Sequence, residues 1–343
     1  MDETLEYCRL LYNKTLAYRR DSWEQEEISI SLYDTMGLLP SWKNEFPELR
    51  SVHSQVLQNV QTRVDLAFKA FFRRVRNGET PGYPRFKAYR RYDSFTYSQS
   101  GFAIKDNKLK LSKIGNIKIV LHRAIIGSIR TCTIKKAPTG KWFVCFCCEI
   151  DNTPLPESCK QVGIDVGLNH FATLSNNGVI DNPRFFHDDE KELGKVQRKY
   201  SNDKTNCRKH AVALIHERIV NRRKDFAHKL SRYIVNQFGI IAVEDVNVSR
   251  MLHNHCLAKS ISDAGWVNFL QYLSYKAEYA GRVYIAVNPA YTSQDCSNCG
   301  HRQPMPLSER TFNCPCCGLS IDRDLNAAKN ILARGLTGIG INP

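Results

Sequence analysis

Three acids in this sequence stand where an unpartnered charge is costly. Asp165 falls inside Val-Gly-Ile-Asp-Val-Gly (162–167), Glu244 inside Ile-Ile-Ala-Val-Glu-Asp-Val (240–246), and Asp324 directly before Leu-Asn-Ala-Ala-Lys-Asn-Ile-Leu. The first two runs are rich in β-branched residues and predict buried strands, in which a carboxylate costs several kcal/mol unless it is partnered. Each acid has an ordinary explanation: Asp324 as a helix N-cap, Asp165 in a turn, Glu244 ending a strand beside an arginine. Taken together, two strands and a helix start can bring all three to one point. Such a cluster can hold two Mg²⁺ (or Mn²⁺) ions, one activating a water and one stabilising the leaving oxygen of a phosphodiester. Asp245 and Asp322 read as structural neighbours, and Arg323 and Asn326 as residues that help position the site.

A second chemistry is written in cysteine. Cys296-Ser-Asn-Cys299 and Cys314-Pro-Cys-Cys317 are two C-x-x-C pairs, each followed by a glycine (Gly300, Gly318) that suits a tight turn. Four thiolates converging on one Zn²⁺ make a closed, structural site, here a zinc ribbon. Cys316 is a spare thiol, and the i, i+3 spacing favours Cys317 as the ligand. An odd total of thirteen cysteines in a chain of 343 residues argues against a secreted disulfide scaffold. Cys145, Cys147 and Cys148, in Trp-Phe-Val-Cys-Phe-Cys-Cys-Glu-Ile, read as small core residues.

The charge points to a polyanion. Lys and Arg number 49 against 34 Asp and Glu, a net +15. Between Lys69 and Arg91 there are eight basic residues and one acid, with Phe71, Phe72, Tyr83, Phe86 and Tyr89 among them; between Lys195 and Lys229 there are eleven basic residues and three acids. Basic side chains displace counterions from phosphates, and aromatic rings offer stacking faces to unpaired bases. Arg73, Arg74, Arg76, Arg85, Lys87, Arg222 and Arg223 are the candidate nucleic-acid contacts. The first residues lack the pattern of a signal peptide, and no run approaches the roughly 18 apolar residues of a membrane helix. The expectation is a cytoplasmic protein with no membrane partner.

The elements that must position these groups fall into blocks. Residues 1–77 read as helical, with Val52, Val56, Val60, Val64, Phe68 and Phe71 forming one stripe, and Pro81-Gly82-Tyr83-Pro84 breaks any helix beyond. Residues 78–157 carry short β-branched and aromatic runs punctuated by turn signals, a small antiparallel β-domain. Residues 158–288 alternate strands and helices, including a long helical region from about Glu190 to Asn236 and a helix from about Gly265 to Tyr279. Residues 289–320 are the zinc ribbon, and 321–343 carry a last helix, from about Asp324 to Arg334, that Gly335 should terminate. A three-strand meander followed by alternating helices and strands is what an RNase H-like α/β domain needs.

In this order, Gly-Ile-Asp-Val-Gly-Leu-Asn-His-Phe-Ala-Thr-Leu-Ser, Ala-Val-Glu-Asp-Val-Asn-Val, the two cysteine knuckles and Asp-Arg-Asp-Leu-Asn-Ala-Ala-Lys-Asn-Ile-Leu resemble the TnpB (OrfB) family of transposon-encoded proteins, relatives of the type V CRISPR effectors. The likeness extends upstream, through the segments around Phe71–Lys87 and Lys113–Arg123. It implies a split RuvC nuclease with an inserted zinc ribbon, preceded by a helical recognition region and a small β-barrel (wedge) domain. The implied activity is RNA-guided DNA cleavage. Guide RNA from the transposon end and target DNA, double- and single-stranded, are the implied partners. By motif, Asp165, Glu244 and Asp324 are the catalytic acids, and Cys296, Cys299, Cys314 and Cys317 the zinc ligands. Met251–Ala264 resembles the family's lid segment. The family's usual opening strand is not found before the helix that starts at Met1-Asp2-Glu3, so the expectation is a barrel lacking that strand. Two alternatives share these motifs: a cleavage-deficient RNA-guided repressor, a class that lacks one of the carboxylates, and a transposase that joins strands with a hydroxyl nucleophile.

Overall fold

The structure, a computed structural model, describes residues 1–306 and 308–341, and it divides into two compact units, Met1–Asp151 and Asn152–Pro343. Unit 1 opens with α1 (Asp2–Glu26), α2 (Leu32–Gly37), α3 (Leu39–Glu45), a 3₁₀ turn over Pro47–Ser51, and α4 (Ser54–Arg76). Val56, Val60, Val64 and Phe68 of α4 form a buried stripe at helical spacing, while Val52 is buried just ahead of the helix rather than in it. Six strands follow: β1 (Ser94–Tyr97), β2 (Phe102–Lys105), β3 (Lys108–Leu111), β4 (Gly115–Lys118), β5 (Ser128–Lys136) and β6 (Trp142–Glu149). They form two antiparallel sheets, β1-β5-β6 and β2-β3-β4. Helices and strands bury one common core, and Arg63 of α4 ties them by donating to the Ser94 carbonyl at 2.7 Å and the Thr96 hydroxyl at 2.9 Å.

One expectation fails here. On β6, Trp142, Val144 and Phe146 turn toward the core, whereas Cys145 and Cys147 are exposed and Cys148 is half-buried. β6 is an edge strand whose second face is uncovered, so the two-residue alternation sends Cys145 and Cys147 outward and leaves Cys148 on the side of Trp142, Val144 and Phe146.

Unit 2 is an α/β assembly. Its elements are β7 (Gln161–Val166), β8 (His170–Leu174), β9 (Val179–Asp181), α5 (Phe185–Asn202), α6 (Asn206–Gln237), β10 (Ile240–Glu244), α7 (Val248–Met251), α8 (Ala258–Ala264), α9 (Trp266–Tyr279), β11 (Val283–Val287), β12 (Thr311–Asn313), β13 (Ser320–Asp322) and α10 (Arg323–Gly338). The main sheet has the order β11-β10-β7-β8-β9, with β10 parallel to both neighbours and β7, β8 and β9 an antiparallel meander. The long helical region expected over about 190–236 consists of two helices, separated at Asp203–Thr205, where the Thr205 hydroxyl caps α6. Among the described residues no helix is long and apolar enough to cross a membrane.

The sheet's two faces have different textures. Val162 and Ile164 of β7, with Ile241 and Val243 of β10, pack into a core with Phe171, Trp266, Phe269 and residues of α6 and α9. The intervening residues, Gly163 and Ala242, face α10. A Cβ on Gly163 would lie 2.1 Å from the Ala328 carbonyl oxygen and 2.7 Å from the Leu332 nitrogen. Gly335 does the same from the helix side, where a Cβ would meet the Ala242 methyl at 2.7 Å. This explains why α10 runs past Gly335 to Gly338 instead of stopping there: the glycine is kept for close approach, not for a left-handed cap. Gly163→Ala should therefore push α10 off the sheet. The expected loss is about 1–3 kcal/mol of unit 2 stability, the usual cost of overpacking, read from chemical denaturation.

Candidate active site

The strand register brings the first two acids together. Ile240, Ile241, Ala242 and Val243 of β10 pair in parallel with Gln161, Val162, Gly163 and Ile164 of β7. One residue further on, Glu244 and Asp165 stand side by side where the strands end, on the face that Gly163 and Ala242 present to α10. Adjacent strands lie about 4.8 Å apart. Because α10 lies flat on that face, its first turn carries Asp324 to the same place. The Asp324 carboxylate oxygen Oδ2 is 3.9 Å from where a Cβ on Gly167 would stand. The N-cap of α10 is Asp322, whose Oδ1 accepts from the Asp324 and Leu325 amides at 2.9 and 3.0 Å. Capping is thus done by the neighbour, and the Asp324 carboxylate is released from that task.

The acids feel one another. Asp165 is held well above the usual carboxylate range, first by burial and then by the charges of Glu244 and Asp324, with Arg323 opposing. Glu244 is raised by burial, against a hydrogen bond from Thr292 and the charge of Arg334. Asp324 is raised by burial and by Asp322, against Arg310, Arg323 and His170; the Arg310 guanidinium lies 4.0 Å from its carboxylate. Mutual repulsion among half-buried, oxygen-only donors is what a hard divalent cation relieves, so the donor set suits Mg²⁺ or Mn²⁺. The carboxylates form an open cluster, not a closed ligand cage. Among the described residues, the closed group is the cysteine quartet Cys296, Cys299, Cys314 and Cys317, whose ligand atoms all lie within 4.8 Å of one another.

In that quartet the Sγ atoms of Cys296 and Cys317, and of Cys299 and Cys314, are 3.6 Å apart. A disulfide would need about 2.05 Å. Zn–S bonds of about 2.3 Å at tetrahedral angles give edges of about 3.8 Å, so the donors fit Zn²⁺ as they stand. Each knuckle turns through a left-handed glycine, Gly300 at φ 75° and Gly318 at φ 72°, whose amides donate to the Cys296 and Cys314 carbonyls. Cys316 is exposed and outside the quartet. The β12–β13 hairpin runs straight into α10, so only Arg323 lies between the end of the hairpin at Asp322 and Asp324.

A polar row on α10 strengthens this link. Asn326, Asn330 and Arg334 recur every fourth residue. Asn326 donates to the Asp295 carbonyl and accepts from the Ser297 amide, at 2.8 and 2.9 Å. Asn330 donates to the Thr292 and Asp295 carbonyls, at 2.9 and 2.6 Å. Arg334 reaches the Ala290 carbonyl at 2.6 Å and the Asp295 carboxylate at 2.8 Å. Asn326 was expected to help position the site; Thr292, Asn330, Arg334 and Arg310 were not. The i, i+4, i+8 spacing of polar residues on a helix that must pack was the available signal.

The candidate nucleic-acid contacts separate by unit. Arg73, Arg74, Arg76 and Arg85 are exposed, while Lys87 is half-buried with its ammonium 5.6 Å from the Tyr12 ring. Arg222 pairs with Asp188 and Asp189 at 3.4 and 3.3 Å and lies over the Phe185 ring. Arg223 pairs with buried Asp263 at 2.6 Å. Asp263 also accepts from the Phe186 and His187 amides, anchoring α8 and with it the end of the lid-like segment.

A family profile described as "Probable transposase" matches residues 145–255, and one described as "Cas12f1-like, TNB domain" matches residues 266–331, which span the knuckles and most of α10. The chain is 35% identical over 362 residues to a Streptomyces pristinaespiralis protein provisionally named as an RNA-guided DNA endonuclease, covering all of this chain and 88% of the relative. It is 31% identical over 354 residues to the Escherichia coli protein InsQ, which carries the same provisional name, covering 96% and 86%. A solved CRISPR-Cas12f ternary complex aligns at 13% identity with a TM-score of 0.41, over 96% of this chain and 80% of that one. The two profiles and the two full-length relatives place the chain in a class of transposon-associated proteins. It belongs to the TnpB (OrfB) family.

Proposed function

We propose that this protein is an RNA-guided, metal-dependent DNA endonuclease of a transposable element that hydrolyses phosphodiesters at Asp165, Glu244 and Asp324. The observation that carries the catalytic half is the meeting of three carboxylates, each held above its ordinary value chiefly by burial, where β7 and β10 end against the first turn of α10. The sheet order, a meander extended by parallel strands, supports an RNase H-like (RuvC) domain, and the cysteine quartet supports an inserted zinc ribbon. The names of the full-length relatives support the guide-directed half.

Asp165, Glu244 and Asp324 would hold the catalytic ions, which when bound would activate a water and stabilise the leaving oxygen. The chain's own residues do the rest. Gly163 and Gly335 let α10 bring Asp324 within reach, Asp322 frees it from capping, and Arg310 sets positive charge at the cluster's edge. In unit 1, exposed Arg73, Arg74, Arg76 and Arg85 lie among exposed Phe72, Tyr83, Phe86 and Tyr89, a surface suited to RNA and single-stranded DNA. In unit 2, Arg222 and Arg223 pair with acids, and Arg222 keeps 41% of its side chain exposed beside the rest of the basic run.

The test is to copurify the protein with RNA transcribed across its own transposon end and offer a matched plasmid with Mg²⁺. Cutting that needs the matched guide is expected, with the plasmid intact under a scrambled one. Bound RNA and target without cutting would give the repressor instead, joined product the strand-transfer protein, and a preparation devoid of RNA would sink guidance.

A further inference from the structure

Glu244 differs from the other two acids in receiving a side-chain hydroxyl. The donor is Thr292, 4% exposed, whose Oγ1 bonds the Glu244 Oε1; the second acceptor within reach, the Pro289 carbonyl, is farther at 3.1 Å. Thr292 belongs to no helix or strand. It sits on the connection from β11 to the first cysteine knuckle, and what fixes it there is α10. Asn330 donates to its carbonyl, while Asn326 and Arg334 hold Asp295 and Ala290 on either side. A single helix therefore supplies one acid of the cluster directly and holds the group that touches another.

We propose that Thr292 is a positioning residue for Glu244: clamped by Asn330, its hydroxyl fixes one carboxylate oxygen so that the other is presented to the catalytic cation. The inference rests on the reading of the three acids as a divalent-metal site. The physical basis is that a hydrogen bond to one carboxylate oxygen limits the group's rotation and so sets where the other oxygen points. Outer partners of this kind typically change metal affinity or activity 10–100-fold. The connection is too short of regular structure to hold Thr292 by itself, which gives the buried Asn330 amide its use.

The experiment uses the full chain and reads Mn²⁺ binding by electron paramagnetic resonance on nucleic-acid-free protein, beside the Mg²⁺ dependence of guided plasmid cleavage. Thr292→Val keeps the shape and removes the donor; Thr292→Ser keeps the donor. Thr292→Val should raise both the Mn²⁺ dissociation constant and the half-saturating Mg²⁺ by about tenfold or more. Thr292→Ser should restore both, and zinc content and circular dichroism should stay unchanged in each. Asn330→Leu should reproduce the weakening in part, through the loosened connection. Mn²⁺ binding in Thr292→Val equal to that of the parent overturns the proposal, as does a lower cleavage plateau with unmoved half-saturation. Glu244→Gln separates the two levels. If it binds Mn²⁺ and cuts normally, the carboxylate site itself is wrong; if it fails in both while Thr292→Val is normal, the positioning role alone is lost.

Discussion

Asp165→Asn should abolish cleavage and, in magnesium-free buffer at neutral pH, make the protein more resistant to heat. The first effect follows from losing the central oxygen donor of the cluster. Cation-based stabilisation of a phosphodiester transition state amounts to several kcal/mol, so a loss of about 10³-fold or more is expected. Guide RNA and target should still be bound. The second effect follows from electrostatics. Burial, Glu244 and Asp324 push the Asp165 carboxyl above its ordinary value. An acid raised in the folded state contributes stability that is complete below its unfolded pKa and disappears as pH climbs through the folded one. The metal-free protein should therefore become less stable as pH rises above about 4, and the amide removes that penalty. Each kcal/mol of repulsion relieved should raise the melting temperature by about 2–4 °C, read by scanning calorimetry. Added Mg²⁺ should stabilise the parent more than the variant. A variant that cuts at the parental rate would remove Asp165 from the site.

The second large effect belongs to the cysteines. Cys314→Ser should release zinc, open the β12–β13 hairpin and end cleavage, although no cysteine reaches the carboxylates. The apparent binding energy of structural Zn²⁺ in small modules is about 10–16 kcal/mol, far more than a cluster of four buried core residues can supply here. Without the ion, β13 no longer delivers Asp322 and Asp324 into α10 at a fixed position, and the connection carrying Thr292 loses its far anchor. The expected results are loss of one zinc per chain by elemental analysis and new proteolytic sites between about Asp295 and Asp322. Cys316→Ser, outside the quartet, should leave all three readouts unchanged.

How much of this was legible beforehand differs from residue to residue. The strands around Asp165 and Glu244 announce themselves because β-branched runs bounded by glycine have few other uses. The knuckles are legible because thiol spacing is itself a geometry. Their neighbours were harder. Gly335 looks like a helix stop, since the conformational freedom that ends helices and the missing Cβ that admits a sheet are the same chemical fact. Cys145 and Cys147 looked internal because an apolar strand does not disclose whether its second face is covered. The ion pairs of Arg222 and Arg223 were hidden because Asp188, Asp189 and Asp263 meet them only after the chain has folded back. The pairing of Asp165 with Glu244 depends on a parallel register, which no local pattern encodes.

Asp165 and Glu244 leave the ribosome well ahead of α10, which brings Asp324 and closes the row of contacts onto Thr292. Until that helix has been translated and docked, the nascent protein holds two acids and no complete site. Unit 1, with its exposed basic and aromatic surface, is finished much earlier. On the proposed reading of the three acids, a chain that stopped short of this helix would lack Asp324 and should leave DNA uncut.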